Sequence, residues 1–391
     1  MSELTIRLFI LDFDGMKRIS KITICCIFLL LLLLPTIQVL TDIFPEPQTS
    51  SENRVMATFP EMNKTNIDEI PTKIEKFYND NFPFRAILLN EFFRFKLKQG
   101  QSPIPNVIVG NGRLYQQKSV QIYTGQIKIK EEELSDKVKE LKYRYTYFKE
   151  RGIKMYVMIV PASPEIYPES LPLSVQRVKE TQTDVFCNLM AVSASEIPFI
   201  YVKSQLLSHK QDRNLYRNGD NHWNAYGAYY ASEELLKLIS KGFPSIPEQK
   251  MSNYNFTPRC VLSGNLVDAL INPRTTDFFQ EDTIYDVSLV DTSIIITNGE
   301  KRDYTIPKNF SYPQLYEQEF VCNNVDLPKI VIIRDSFFTE MVPFITPFFR
   351  ESVLIWDAWQ YARNFDIVEK EKPDVVVYEI TENAITNILS E

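Results

Sequence analysis

The chain has 391 residues, of which 44% are hydrophobic and 24% are charged, and its formal net charge at pH 7 is -7. This composition is typical of a globular protein with one large domain or two ordinary ones. The acidic balance argues against a nucleic-acid-binding protein, which needs a basic face to neutralise phosphates.

The first distinctive segment is 22–40, which contains no charged residue and follows basic residues at positions 17, 18 and 21. As a helix it would rise about 28 Å, which is enough to cross the hydrocarbon layer of a membrane. The positive-inside rule then places the N-terminus in the cytoplasm and the rest of the chain outside the cell membrane. A cleaved signal peptide is the alternative, but the following "IQVLTDIF" offers no small-residue cleavage site.

These features predict four segments along the chain. They are a cytoplasmic segment 1–21, a single transmembrane signal anchor 22–41, an extracytoplasmic linker 42–75 and a folded domain 76–391. The linker is rich in Pro, Ser, Thr and Asn and has no hydrophobic periodicity, as expected of a tether.

The folded part alternates between amphipathic helices and short apolar runs. Helices are predicted at about 131–151, 178–193 and 224–240 and from residue 337, and strands at "KMYVMIV", "FIYV", "KIVII", "SVLIW" and "DVVVYEI", with a more β-like middle section at "TIYDVSLV" and "SIIIT". Continuous Val and Ile runs between helices indicate buried parallel strands, and hence an α/β sandwich with a mostly parallel central sheet. Ligands of such sheets bind at the carboxyl ends of the strands.

A serine lies at one of these strand ends. In "KIVIIRDSFF", Ser336 follows the strand and precedes a helical segment, where backbone N–H groups can donate to an oxyanion. The position suits a nucleophile. The alternative is that Asp335 or Ser336 only caps the helix, which is the most common role of these residue types.

A serine nucleophile needs a general base, usually a histidine oriented by a carboxylate. The chain has two histidines. His209 lies among charged residues and is expected on the surface, whereas His222 in "DNHWN" lies two positions after Asp220. In an extended segment, positions i and i+2 face the same way, so Asp220 could reach the imidazole. The alternative for "DNHWN" is a structural helix start, with Trp223 as apolar cover.

Cysteines offer little chemistry. Cys187, Cys260 and Cys322 lie beyond the predicted anchor, so at most one disulfide can form among them, and their spacing does not say which. No CxxC motif or Cys/His cluster indicates a metal.

Several motifs together resemble a known family. "DNHWNAYGAYYASEELL", "VIIRDSFF" and "PDVVVYEITENAI", in this order, resemble the extracytoplasmic SGNH-hydrolase-like proteins of the alginate O-acetyltransferase type, also called the DHHW family. "NDNFPFR", "VIVGNGRLY" and "VPASPEIYPESLP" support the resemblance, which covers residues 75–391.

The resemblance implies a function that the residues alone do not. Asp220, His222 and Ser336 would form a catalytic triad, and the fold would be an SGNH-hydrolase-like sandwich. The expected activity is transfer of acetyl groups onto an exported cell-surface polysaccharide through a serine acyl-enzyme. No cofactor is expected, because a separate multipass membrane O-acyltransferase would supply the acetyl donor. The alternatives are an O-acetyl esterase with the same residues and a non-catalytic glycan-binding or assembly protein.

Two positions depart from the family pattern. Arg334 stands where the family usually has Gly, and "SGNL" at 263–266 stands where a Gly-Asp-Leu stretch is usual. Arg334 is expected either to crowd the oxyanion site or to add a cation to it, and Asn265 would be an amide donor there. Together with Asp335 and Trp223, these residues are candidates for the oxyanion and substrate sites.

Overall fold

The structure is a computed structural model that describes residues 21–30, 33, 37, 41, 57–60, 68–80, 85–99, 101–104, 106–270, 281–307, 310 and 312–389. Within these ranges no helix has both the length and the apolar character needed to span a bilayer. The predicted anchor 22–41 and linker 42–75 lie partly outside the described residues, and the predicted cytoplasmic segment 1–21 lies outside them except for its last residue.

Two compact units make up the chain, one of residues 1–95 with 272–274 and one of residues 96–271 with 275–391. The smaller unit contains α1 and most of α2. The helices are α1 Ile70–Asp80, α2 Arg85–Lys98, α3 Gln117–Tyr123, α4 Glu131–Glu150, α5 Ser163–Ile166, α6 Gln182–Ser193, α7 Lys203–His209, α8 Ala225–Ser240, α9 Asn265–Leu270, α10 Val342–Ile345 and α11 Phe365–Glu371.

The larger unit is built around a seven-stranded sheet with the strand order β4-β3-β11-β9-β10-β8-β7. The strands are β1 Val107–Val109, β2 Leu114–Gln116, β3 Lys154–Val160, β4 Phe199–Tyr201, β5 Tyr254–Val261, β6 Asp282–Leu289, β7 Ile296–Asn298, β8 Glu317–Cys322, β9 Lys329–Arg334, β10 Glu351–Trp356 and β11 Val375–Thr381. The first five strands in the sheet order are parallel to one another, whereas β8 is antiparallel to β10 and β7 to β8. The predicted α/β class is confirmed, and the sheet is mixed but mostly parallel.

Side chains that alternate along the strands form two cores. On one face, Ile332 and Leu354 pack with residues of α8 and of the segment after β9, including Phe338. On the other face, Ile333 and Ile355 pack with residues of α4 and α6. The central strands β3, β9, β10 and β11 are therefore apolar on both sides, as expected for a sheet covered by helices on both faces.

One element prediction was wrong, and the predicted β-like segment at "TIYDVSLV" does form a strand. The helix predicted from residue 337 is broken into a 3-10 helix Ser336–Met341, the single turn α10 and a second 3-10 helix Thr346–Phe348. Pro343 and Pro347 interrupt it, because proline has no N–H to continue a helix. The strand at "TIYDVSLV" is β6, which pairs with β5 in a separate two-stranded sheet.

Among the described residues, Cys187, Cys260 and Cys322 are all free thiols. The sequence allowed at most one disulfide among them, and the structure contains none between these three positions.

Candidate active site

A line of two hydrogen bonds joins the three residues predicted as a triad. The imidazole Nε2 of His222 lies 2.7 Å from the Ser336 hydroxyl oxygen, and its Nδ1 lies 2.6 Å from Oδ1 of Asp220. Ser336 and His222 are half-buried, whereas Asp220 is buried. The arrangement therefore has a nucleophile open to solvent, a base in contact with it and a carboxylate behind the base, which is the geometry of a hydrolase or acyltransferase triad.

The Asp220 carboxylate is held by hydrogen bonds on both oxygens. Oδ1 also accepts the backbone N–H of His222 at 3.0 Å, and Oδ2 accepts Nη1 of Arg217 at 2.9 Å and the backbone N–H of Asn265 at 3.1 Å. Burial alone would raise the pKa of this carboxyl, but the hydrogen bonds from His222 and the charges of His222 and Arg217 lower it to about 2. The carboxylate is thus kept ionised and oriented toward the imidazole.

A further carboxyl group lies near this cluster. Glu340 follows Ser336 by four positions and is half-buried. Burial raises its pKa, while the charges of Arg217 and His222 act in the opposite direction. It is an acid of the site that the sequence did not single out.

The loop 214–224, which carries Asp220 and His222, is anchored from two distant parts of the chain. The buried guanidinium of Arg113 donates to the carbonyl oxygens of residues 216 and 217 and to Oδ1 of Asn214. The buried carboxylate of Asp282, at the start of β6, accepts the backbone N–H groups of residues 218 and 219 at 2.7 Å each. The loop is therefore fixed by side chains that satisfy its backbone groups, although it lies outside any sheet.

Ser336 begins a 3-10 helix whose start is fixed by Asp335. Oδ1 of Asp335 accepts the N–H of Phe337 at 2.9 Å, while Oδ2 accepts the N–H of Thr381 at 2.9 Å and the hydroxyl of Tyr361 at 3.0 Å. The capping predicted as an alternative role thus belongs to Asp335, and Ser336 is left to contact His222. The N–H of Ser336 stands at the first position of the helix, where a helix supplies no acceptor of its own.

Beneath this turn lies the carboxyl group of Glu379 on β11. It is fully buried, and its Oε2 accepts the N–H of Asp335 at 2.9 Å. Burial, together with the nearby charge of Asp335, raises the pKa of Glu379 well above its ordinary value. The turn that carries Ser336 therefore rests on a buried acid whose surroundings favour its neutral form.

Trp223 connects the loop of the base to the turn of the nucleophile. Its indole is fully buried, and Nε1 donates to the carbonyl oxygen of Phe337 at 2.9 Å. Its ring also packs edge-on against that of Phe337, with the ring centroids 5.4 Å apart. Trp223 thus acts through position, since it touches neither the Ser336 hydroxyl nor the His222 nitrogens by a hydrogen bond.

Comparison with known proteins identifies the type of domain that part of this chain resembles. Residues 113–288 match the sequence model of the SGNH hydrolase-like domain of the acetyltransferase AlgX. This segment is similar to an SGNH hydrolase-like domain of the acetyltransferase type, and the match covers less than half of the chain. The resemblance predicted from the sequence motifs is confirmed. The match contains Asp220, His222 and Asn265, while Ser336 lies beyond it.

Solved structures show the same fold over a longer part of the SGNH-hydrolase-like chain. PatB1 of Bacillus cereus has a TM-score of 0.51 at 14% sequence identity, over 71% of this chain and 96% of PatB1. The O-acetyltransferase domain of Pseudomonas putida AlgJ has a TM-score of 0.50 at 13% identity, over 73% of this chain and 94% of the domain. At these identities the comparison concerns the fold. No match was found among curated protein sequences.

In this SGNH-hydrolase-like site, Arg334 lies in a buried network of its own. Its guanidinium donates to the carbonyl of Asp335, to the Thr339 hydroxyl, to the carbonyl of Leu315 and to Gln318 Oε1, and its carbon lies 4.4 Å from the centroid of the Trp356 ring. Among the described residues, none of these contacts goes to Ser336, His222 or Asp220. Burial lowers the pKa of Arg334 to about 10.

Asn265, the other departure from the family pattern, contacts the carboxylate side of the site. Its backbone N–H donates to Asp220, its Oδ1 accepts the N–H of Asn221 at 3.1 Å, and its side-chain amide donates to Oδ1 of Asn221. The preceding Gly264 permits this approach, because a Cβ there would lie 2.5 Å from the carbonyl oxygen of Gly219. These contacts hold the Asp220 loop.

Sequence reasoning missed the supporting residues of the site. Arg113 and Glu379 lie within quoted family motifs and Asp282 and Tyr361 lie outside them, but none was assigned a role, because each acts on groups far away in sequence. A signal was present for Glu379, since an acid in the middle of the apolar strand "VVVYEI" is unusual for a buried strand.

Proposed function

We propose that the chain is a membrane-anchored O-acetyltransferase that moves acetyl groups onto an exported cell-surface polysaccharide through an acyl-enzyme at Ser336. The observation that carries this proposal is the hydrogen-bonded line from Ser336 through His222 to Asp220. The matched domain type, that of an acetyltransferase, supports acetyl transfer, and the AlgJ domain of the same fold is an O-acetyltransferase domain.

In the first half of the reaction, Nε2 of His222 takes the hydroxyl proton of Ser336. The serine oxygen forms a bond to the acetyl carbon of the donor, the donor oxygen leaves, and His222 returns the proton to it. The N–H of Ser336 is placed to donate to the oxyanion that develops on the acetyl group. Asp220 holds the imidazole in the tautomer with hydrogen on Nδ1 and stabilises its positive charge.

In the second half, a sugar hydroxyl of the acceptor replaces the donor. His222 takes its proton, the sugar oxygen bonds to the acetyl carbon, and the Ser336 oxygen leaves and recovers a proton from His222. The donor would be supplied across the membrane by a multipass O-acyltransferase partner. The predicted anchor at 22–41 belongs to the same proposal and is supported by the uncharged stretch that follows the basic residues at 17, 18 and 21.

The test is to incubate the full-length chain with p-nitrophenyl acetate, and to measure ester turnover and acetylation of Ser336 by mass spectrometry. Ser336→Ala and His222→Ala should each reduce turnover about a thousandfold or more, because triad residues act as a unit. His209→Ala is the matched control, since that histidine stacks on Tyr230 at 3.8 Å and takes no part in the triad. Absence of acetyl-Ser336 in a folded chain would refute the acyl-enzyme.

An O-acetyl esterase would use the same residues with water as acceptor. Comparing free acetate with acetyl groups on glycan separates the two activities. The non-catalytic alternative depends on Arg334 crowding the oxyanion site, and the contacts of its guanidinium do not favour that alternative.

A further inference from the structure

Three aromatic side chains form an exposed cluster, here called the aromatic platform, at the carboxyl end of β10. The platform consists of Tyr312, Trp356 and Trp359. Trp359 is 53% exposed and Tyr312 is 49% exposed. Tyr312 is nearly parallel to Trp356, with an interplanar angle of 14° and centroids 5.7 Å apart, and Trp359 lies 6.5 Å from Trp356.

Two neighbouring side chains, Phe310 and Arg334, pack against the rings of the platform. Phe310, which is buried, packs edge-on against Trp356 and Trp359, with centroid distances of 5.9 and 4.9 Å. On Trp356, the guanidinium of Arg334 lies 4.4 Å from the ring centroid, a favourable cation–π distance. The rings are therefore held in place before any ligand arrives, which lowers the entropic cost of binding.

The aromatic platform lies at the same edge of the sheet as the triad serine. Trp356 is the last residue of β10 and pairs with Arg334, the last residue of β9, in the parallel register of the two strands. Because parallel neighbours end at the same edge, the segments that follow β9 and β10 leave the sheet side by side. This is the edge at which ligands of parallel sheets bind.

Arg334 links the platform to the nucleophile. Ser336 follows Arg334 by two positions, which is about 7 Å of extended chain. Arg334 contacts both regions, since its guanidinium lies against Trp356 and donates to the carbonyl of Asp335. The platform and the candidate catalytic serine thus lie at one edge of the sheet, where Trp356 packs with the core on the α4 and α6 face and Phe337, next to Ser336, packs with the other core.

We infer that the aromatic platform binds pyranose rings of the acceptor polysaccharide and positions a neighbouring sugar hydroxyl at Ser336. A pyranose ring presents C–H groups on its faces and hydroxyls around its rim, so it stacks on flat aromatic rings while its hydroxyls remain in water. Tyrosine and tryptophan suit such a ligand, because each combines an apolar ring with one polar group. This inference rests on the proposed function, which requires a glycan at this edge of the sheet.

The test measures binding separately from chemistry. Full-length chain carrying Ser336→Ala is titrated by calorimetry with three probes, namely cellohexaose, chitohexaose and a mannuronate hexasaccharide, which represent neutral, N-acetylated and anionic pyranoses. At least one probe should bind, and adding Trp359→Ala or Tyr312→Ala should weaken its affinity about tenfold or more. Trp359→Phe, which keeps a ring, should restore much of the affinity and guards against a folding defect.

Tyr143→Ala is the matched control. Tyr143 is 50% exposed, and its ring packs against Phe365 and under the guanidinium of Arg363. It therefore resembles the platform residues in type and exposure but belongs to a different aromatic group. Its removal should leave the affinity unchanged.

Three results would overturn the inference: binding of no probe, equal affinity of the Trp359→Ala and parent chains, or self-association of the chain that Trp359→Ala abolishes. The last would assign the platform to contacts between two copies. Since acetylation of Ser336 is measured on the unaltered chain with p-nitrophenyl acetate, failure of the acyl-enzyme is distinguishable from failure of the platform.

Discussion

Replacement of Asp220 by asparagine should make the stability of the protein less dependent on pH. The Asp220 carboxylate accepts four hydrogen bonds, from the N–H and Nδ1 of His222, Arg217 Nη1 and the N–H of Asn265. These donors favour the ionised form, so the folded protein binds a proton at Asp220 less readily than the unfolded chain does. The variant removes the titrating group and keeps the size of the side chain.

The size of the effect follows from the pKa of Asp220, which falls from an ordinary 3.8 to about 2 in the folded protein. Its side chain is only 6% exposed, so solvent screens these interactions little. The shift corresponds to roughly 2 kcal/mol of folding free energy above pH 5. Because the folded pKa is the lower one, this stabilisation is lost as the pH falls through 4 toward 2, and about half of it remains at pH 3.

Urea unfolding of both proteins at pH 6 and pH 3 measures this contribution. The difference in the free energy of unfolding between the parent chain and Asp220→Asn should shrink by roughly 1 kcal/mol at the lower pH. Other carboxyl groups titrate in both proteins and cancel. Asp212→Asn, at an aspartate with a side chain that is 63% exposed, is the control for removing one surface carboxylate. An equal difference at both pH values would refute the assigned role of these hydrogen bonds.

Three further substitutions test the supporting residues. Trp223→Phe removes the indole N–H that donates to the Phe337 carbonyl, so it should lower the free energy of unfolding by about 1–3 kcal/mol. It should also slow ester turnover at least tenfold. Unchanged values in both assays would contradict this. Asp282→Ala should cost about 2–4 kcal/mol in urea unfolding, since two buried N–H groups lose their acceptor, and equal midpoints would count against it. Glu379→Gln should keep the hydrogen bond to the N–H of Asp335. Because ionisation of a buried acid lowers the free energy of unfolding as the pH rises above 5, the variant should lose this decline. An unaltered profile of unfolding free energy against pH would show that Glu379 is not the acid responsible.

Much of the fold could be predicted from the sequence, because its signals are local. Val and Ile runs marked β3, β9, β10 and β11, and the amphipathic pattern with a glycine at its end marked α4. The segment after β9 was harder, because its apolar residues resemble one helix while two prolines divide it into short turns. The position of β6 outside the main sheet has no local signal, because a strand of alternating polar and apolar residues has the same sequence pattern in either sheet.

The residues of the hydrogen-bonded line from Ser336 to Asp220 could also be predicted, whereas the residues that support them could not. Ser336 stood out at a strand end, and His222 stood out because the chain has so few histidines. The role of Arg334 could not be deduced, because the direction of a long side chain depends on partners such as Gln318 and Trp356 that lie on other strands of the sheet. The sequence suggested a contact with the oxyanion site, and the structure places the guanidinium over an aromatic ring.

The anchoring of the His222 loop has a consequence for how the protein matures. Arg113 contacts the loop at Arg217, 104 positions later in sequence, and Asp282 contacts it at residue 218, 64 positions earlier. His222 in the loop contacts Ser336, which is 114 positions away. Contacts this distant in sequence form late in folding, because a long loop must be closed before any of them contributes. During synthesis, His222 and Ser336 are therefore not aligned until β9 has joined the sheet. Any activity of this site would consequently require the completed fold, and partly folded chains would lack it.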